Sequence, residues 1–528
     1  MSDSRAATLI SITALARSGA VDLAWKLFDQ AGLGAVEDDP AVLALRGRLL
    51  KDRTLAAQGA ERRRAAKAAA ECYAASAGLR PAAYPLINAA ALSLIAGEAG
   101  ESARLAAAAL DQIETDGGAG DTPYYLGATR AEALLLLGDE EKARDALRAA
   151  IALAPEAWED HASTLRQFAF ILAEQGRDAA WLDALRPPRS LHFAGQMRIG
   201  EAGEAAAIDS ALDAENVGFG YGSLAAGADI LLAERLLARD AELHLVLPAP
   251  RAQFAAWSVD PFGPEWRARF EAVLGQAASV REVPGIAGDA YPLAIELADE
   301  IAMGLAAMHA RTLQSEALQV LVGAVRRGLP AGHNSARVSE IWRAGKRRQH
   351  LIASGAPPAG GGAAPEAGEG YRLAAIVAVS LAEPLGGTSG EEIAARMARL
   401  PGFGAPIAAP GWRSDGVVLA YSTPSEAAAA ARAVVHAVGQ SGPLRIGAHY
   451  AVVSAAADPW RAGAAVLVGM AAGLAEQILS AAPTGAVYAS ENFAASLAAT
   501  GGDAAMQFIG DLAQAAVPLY ALGWPGST

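Results

Sequence analysis

Cysteine is almost missing from these 528 residues. Cys72 stands alone, so no internal disulfide and no thiolate metal cluster can form. Charge is also scarce: Asp, Glu, Lys and Arg make up 19%, against about a quarter in ordinary globular chains. What charge there is leans acidic, 43 basic against 57 acidic side chains for a net of −14, which disfavours nonspecific binding to nucleic acid or anionic lipid. The basic runs Arg62-Arg63-Arg64 with Lys67, and Arg343 with Lys346, Arg347 and Arg348, read as solvated helix faces. Apolar runs are too short to cross a bilayer, and the longest, Ala464–Ala475, is interrupted by Gly469 and Gly473. Asp3, Arg5 and Arg17 leave no room for a signal-peptide core. The eight histidines show no metal-ligand pairing at i, i+4, and neither a Gly-x-Ser-x-Gly elbow nor a Cys/His dyad occurs. These absences point to a cytoplasmic protein with no membrane and no nucleic acid among its partners.

Apolar side chains are abundant, at 53%, and exclude wholesale disorder. At roughly 150 residues per domain the length suggests three or four domains. Residues 1–185 carry apolar positions at three- and four-residue spacing, predicting helices such as Val21–Ala31, Ala41–Leu50, Tyr84–Ile95, Ser102–Ile113, Tyr124–Leu137, Glu140–Leu153 and Trp158–Gln175. Two turns are alike, Leu94-Ile95-Ala96-Gly97-Glu98 and Leu135-Leu136-Leu137-Gly138-Asp139, and each leads into an alanine-rich helix. This all-α segment resembles degenerate tetratricopeptide repeats, whose stacked helix pairs imply a surface for protein partners.

Past Arg186-Pro187-Pro188-Arg189 the texture changes. Short runs at Ser190–Phe193, Asn216–Phe219, Glu242–Leu247, Ser279–Glu282, Leu318–Val322 and His350–Ile352 alternate with helices, predicting an α/β domain over 186–352 with a parallel sheet. Its distinctive segment, Gly218-Phe219-Gly220-Tyr221-Gly222-Ser223-Leu224-Ala225-Ala226-Gly227-Ala228-Asp229, is a glycine loop between a strand and a helix, where backbone N–H groups can meet an anion. It is neither a Walker loop nor a clean dinucleotide fingerprint. The run Gly222–Asp229, with Ala233-Glu234 and the strand end Val246-Leu247-Pro248, resembles the SLOG superfamily, a Rossmann-like group associated with nucleotide-derivative recognition. The resemblance implies a ligand site built from Gly195, Gly222, Ser223, Gly227 and Asp229, with Ser335 as a further contact at the cap of helix Ala336–Ala344. Asp229 is placed to accept a ribose hydroxyl or to cap its helix. The Pro-Gly-Gly-x-Gly-Thr loop of the hydrolytic members is absent, so binding is expected and hydrolysis is not.

Residues 353–370, with Pro357-Pro358 and Gly360-Gly361-Gly362, read as a flexible tether. The remainder, 371–528, predicts an α+β domain with strands at Leu373–Leu381, Val417–Tyr421, Leu444–Val453, Ala486–Ala489 and Pro518–Leu522, and helices on one face at Gly390–Leu400, Ser425–Val438, Ala464–Leu479 and Glu491–Ala499. Ser414-Asp415-Gly416, Arg445-Ile446-Gly447-Ala448-His449 and Gly485-Ala486-Val487-Tyr488-Ala489-Ser490 resemble the class III adenylate/guanylate cyclase domain. That resemblance implies two magnesium ions on two aspartates, an Asn and an Arg one helical turn apart, and a base-reading lysine. Asp415 matches one metal aspartate. Ala378 occupies the place of the other, Gly469 and Gly473 those of the Asn and Arg, and no lysine follows Lys346. The expectation is therefore a degenerate cyclase-like domain without a catalytic residue set, in which magnesium belongs only to an active form. It would serve a signalling protein as a homodimer or as a heterodimer with an active cyclase. A weakly active cyclase, a nucleotide-processing enzyme and a scaffold without small ligand are the competing expectations.

Overall fold

The computed structural model describes residues 2–17, 21–116, 121–200, 202–284, 288–323, 334–354, 370–381, 395, 398–413, 416–438, 444–457, 465–512 and 515–524. It divides into two compact units, one of residues 1–187 with 312–314, the other of 188–311 with 315–528.

The first unit is helical: α1 (Ser2–Arg17), α2 (Val21–Gln30), α3 (Pro40–Ala56), α4 (Gly59–Leu79), α5 (Ala83–Ala96), α6 (Ala99–Asp116), α7 (Pro123–Leu136), α8 (Glu140–Leu153) and α9 (Trp158–Glu174). The starts are chemically marked. Asp39 Oδ1 accepts from the Ala41 N–H at 2.9 Å with Pro40 following, and Thr122 Oγ1 accepts from the Tyr125 N–H at 3.3 Å ahead of Pro123. Gly97 closes α5 in the left-handed region at φ 86°. Close pairing depends on small residues: a Cβ on Gly47 would lie 2.8 Å from the Tyr73 ring, and one on Gly127 2.8 Å from Ala150 Cβ. Alternate helices are joined by polar side chains as well. Lys51 of α3 donates to Asn88 Oδ1 of α5 at 3.0 Å and Gln167 Oε1 of α9 at 3.2 Å, and Gln167 donates to Glu132 of α7 at 3.0 Å. Burial pushes the Glu132 carboxyl up to about 7 and the Lys51 ammonium down.

The second unit holds two sheets. Strands β1 (Arg189–Gly195), β2 (Val217–Gly222), β3 (Glu242–Leu247), β4 (Ser279–Glu282), β5 (Ala317–Val322) and β6 (Arg348–Ile352) form a six-stranded parallel sheet in the order β4-β3-β2-β1-β5-β6. Between and after them run α10 (Ala202–Asp213), α11 (Ala228–Leu237), α12 (Arg251–Ser258), α13 (Pro264–Leu274), α14 (Tyr291–Thr312) and α15 (Asn334–Ala344). On β1, Leu191 and Phe193 join the apolar core formed with α10 to α13. The alternate residues face elements on the reverse: Ser190 reaches His309 of α14 and His192 stacks on Trp342 of α15. Helices thus cover both faces.

The second sheet is mixed. It comprises β7 (Tyr371–Leu381), β8 (Gly411–Trp412), β9 (Gly416–Tyr421), β10 (Leu444–Ala457), β11 (Ala465–Val468), β12 (Val487–Ser490), β13 (Ala505–Leu512) and β14 (Val517–Gly523), in the order β13-β14-β12-β10-β7-β9-β8 with β11 paired to β10. Its helices are α16 (Pro424–Val438), α17 (Ala471–Ala481) and α18 (Glu491–Ala499). Three expectations change here. The run expected as helix Ala464–Leu479 is strand β11 followed by helix α17, because Ala465-Val466-Leu467-Val468 pairs with β10 before Gly469 turns the chain at φ 134°. Strand β13 had no counterpart. The sheet is covered on both faces rather than one: Ala374, Ile376 and Ala378 pack with Ala471 and Ala475 of α17, while the intervening Ala375, Val377 and Val379 are equally buried on the reverse. Residues 355–369, most of the expected tether, and most of the expected helix Gly390–Leu400 lie outside the described residues.

Candidate functional site

In the parallel sheet the strand order reverses at β1, whose neighbours β2 and β5 are reached in opposite directions. The crevice beyond the carboxyl ends of β1 and β5 is where open α/β sheets take ligands. Gly195 ends β1, Gly222 ends β2, and Gly227, at φ 92°, precedes α11, so the three expected glycines meet at this edge. Their shared reason is close packing. A Cβ on Gly195 would fall 2.4 Å from Ala228 Cβ, one on Gly222 2.6 Å from the Phe193 carbonyl oxygen, and one on Gly227 2.4 Å from the Met197 carbonyl oxygen. The turn after β2 is thereby locked onto the turn after β1, with Ala228 N–H donating to the Gln196 carbonyl at 3.1 Å.

Two buried side-chain oxygens here lack partners. Ser223 Oγ and Asp229 Oδ1 are buried without a hydrogen bond, while Asp229 Oδ2 accepts from the Ala225 N–H at 3.2 Å. Burial raises the Asp229 carboxyl to about 8, and the charge of Asp299 on α14 adds to the rise against the N–H groups of Ala225 and Gly195. A carboxyl kept neutral at pH 7, with one unused oxygen, can donate to a ligand acceptor or receive a ligand hydroxyl. Sequence reasoning missed Asp299; the signal was the doublet Asp299-Glu300 inside the apolar run of α14, both members being buried. Ser335, expected just ahead of its helix, is instead the second residue of α15. Glu234 pairs with Arg269 at 2.7 Å and is structural.

In the mixed sheet, Asp415 lies outside the described residues. The register of β7 on β9 sets Ser380 opposite Gly416, the residue after Asp415, and Ala378 opposite Val418, deeper in the sheet. Ser380 rather than Ala378 is thus the strand position nearest the hairpin, and neither is an acid. Ala378, 1% exposed, is buried in an apolar cluster with Ile376, Ala420 and Ala475. Gly469 precedes α17 rather than lying on it, and Gly473 is in the first turn of that helix. A pair of magnesium ions calls for a second carboxylate here, and among the described residues none stands at Ala378 or Ser380. Among the described residues no three His, Cys, Asp or Glu side chains assemble as a metal set, and no helix is long and apolar enough to cross a membrane.

Residues 3–93 match the model of a family described as Tetratricopeptide Repeats-Sensor. No curated protein matches the chain. Among solved structures, the guanylate cyclase domain of RhGC from Catenaria anguillulae in complex with GTP is similar at 13% identity over 30% of this chain and 98% of that one, with a TM-score of 0.24. The adenylyl cyclase CyaB from P. aeruginosa is similar at 15% identity over 29% and 94%, with a TM-score of 0.22. An O-GlcNAc transferase from Thermobaculum terrenum is similar at 13% identity over 58% and 57%, with a TM-score of 0.18.

Proposed function

We propose that this chain is a non-catalytic signalling protein. The crevice at Gly195, Gly222, Ser223, Gly227 and Asp229 takes a nucleotide-like ligand, with Ser335 as a further contact. The tetratricopeptide-like helices take a protein partner, and the cyclase-like domain acts as a regulatory or dimerising module, pairing with itself or with an active cyclase. The observation that carries the non-catalytic part is the burial of Ala378 among apolar side chains together with Ser380 opposite Gly416. A cyclase must neutralise a triphosphate and activate a hydroxyl, and removing even one transition-state donor costs about two to three orders of magnitude in rate. Here a carboxylate, the Asn, the Arg and the lysine are all replaced. The row Val466, Val468 and Met470, the last 89% exposed, supplies apolar surface for a partner on the β11 side.

Incubating the full chain with ATP or GTP and manganese tests this reading, with Asp415→Ala alongside. No cyclic nucleotide is expected. Product that disappears in Asp415→Ala would establish the enzyme instead. Ligand binding is tested separately by thermal shift of the full chain against ATP, GTP, ADP and NAD, and by mass spectrometry of small molecules carried through purification. A bound ligand raises the melting temperature by mass action; no shift and no passenger would leave a scaffold.

A further inference from the structure

Helix α18 is buried more completely than one sheet can account for. All residues from Phe493 to Ala499 are buried, as is Glu491. A helix lying on one sheet hides only one stripe, so α18 needs a second cover, and the parallel-sheet half of the same unit supplies it. Arg281 of β4 is bidentate to Glu491, the first residue of α18, at 2.5 and 2.9 Å. At the far end Arg347 donates to the carbonyls of Ala498 and Ala499 at 2.5 and 2.7 Å. An acid at the N-terminus and a guanidinium at the C-terminus both suit the helix dipole. Between these clamps Gly304 of α14 meets the α18 backbone directly: a Cβ there would fall 1.8 Å from the Ala495 carbonyl oxygen.

The same helix α14 reaches the ligand crevice. Tyr291 Oη, at the start of α14, lies 2.9 Å from Ser258 Oγ, and the Ser258 carbonyl accepts from the Ala226 N–H at 2.9 Å in the turn that leads to Asp229, which the charge of Asp299 also faces. The next residue, Glu300, is ion-paired with Arg337, with Ser496 of α18 and Tyr450 of β10 beside it. Consecutive carboxylates on one helix are thus engaged on two different structures, one in the crevice and one in the cyclase-like half. Nothing cushions the contact at Gly304, and tightly packed interfaces shift between discrete arrangements rather than deform smoothly.

We propose that α14 is a lever: a change of state at Asp229 repositions α14 and is delivered, through Glu300 and Gly304, to α18 of the cyclase-like half. As a route for ligand signals this rests on the reading of the crevice as a ligand site; as a mechanical link it does not. The test is amide hydrogen exchange on the full chain, comparing wild type with Asp229→Asn. Exchange in 491–499 should change several-fold while exchange in the helix 140–153 stays constant. Linkage is reciprocal, so Glu300→Gln should alter exchange in 225–232, a second readout that does not depend on the Asp229 variant. Changes confined to 195–230 in the first variant and to the surroundings of Arg337 in the second would overturn the lever. A chain that transmits both changes yet binds none of the four nucleotides keeps the lever and loses the ligand reading. A chain that binds one without any change in 491–499 does the reverse.

Discussion

Replacing Asp229 by Asn should stabilise the protein, and increasingly so as the pH rises. The carboxyl is 6% exposed, and its pKa stands at about 8 against an ordinary 3.8, so the folded state holds a proton that the unfolded chain releases. Its contribution is therefore most favourable below about pH 4 and is lost progressively as the pH rises to about 8, above which it levels off. Each pH unit in that window costs about 1.4 kcal/mol, giving roughly 4 kcal/mol at pH 7. Asn keeps the shape and an oxygen for the Ala225 N–H, has no proton to lose, and can turn its NH2 toward Asp299. Relaxation around a buried carboxylate trims such values, so a gain of about 2–4 kcal/mol at pH 7 is expected, read as a melting point higher by roughly 4–8 °C. Thermal melts of both proteins from pH 5 to pH 9 make the comparison. Parallel pH profiles, or a variant less stable than wild type at pH 8, would refute the reasoning by showing that the carboxylate is ionised and well partnered in the fold.

Arg281→Ala should cost about 3–5 kcal/mol in denaturant unfolding, because it leaves Glu491 buried beside Tyr520 with its cation gone. Gly304→Ala should cost about 1–3 kcal/mol by the same assay, since the new methyl group must push α14 off the Ala495 carbonyl. In the helical unit the Glu132 carboxyl, raised to about 7, favours the fold at acid pH and loses that contribution as the pH passes 7. Glu132→Gln should therefore raise the melting point of that unit more at pH 8 than at pH 5.5. Val468→Asp with Met470→Asp should weaken any self-association seen by analytical ultracentrifugation without altering the melting point, as both side chains are exposed.

The sequence carried the strands of the parallel sheet well. Strands such as β3 and β5 are short, largely apolar runs, and even the polar edge strands β4 and β6 fall at the expected Ser279–Glu282 and His350–Ile352. Strand β11 escaped because Ala465-Val466-Leu467-Val468 leads into a helix of the same composition; Gly469, in a conformation that glycine alone adopts readily, was the available boundary. Strand β13 escaped because it is a half-exposed edge strand with Gln507, Phe508 and Asp511 toward solvent and no alternation to read. The glycines of the crevice were visible in the sequence, whereas their packing against Phe193 and Met197 was not, since it depends on how two strands thirty residues apart come together. Asp299 lies seventy residues from Asp229, and periodicity cannot bring such a pair together. The two-sided burial of α18 was in principle legible, because Glu491–Ala499 offers no polar face to water.

Buried charge is unevenly distributed in the second unit. A site that handles a triphosphate concentrates carboxylates and cations at the reacting groups, yet the centre of the mixed sheet is packed with Ala374, Ala378, Ala420, Ala471 and Ala475. Several buried carboxylates lie along α14 and the elements packed on it: Asp229 and Asp299, Glu300 with Arg337, and Glu491 with Arg281, while Glu204, Glu215 and the histidines His192 and His449 are buried elsewhere in the unit. Each is costly to desolvate, and apolar side chains of similar size are often as stabilising, so stability alone gives little reason for polar chemistry at those places. Fixed, directional contacts that set α14 and α18 in one register do give one. Such contacts specify one arrangement of the two helices, which apolar packing alone does less sharply.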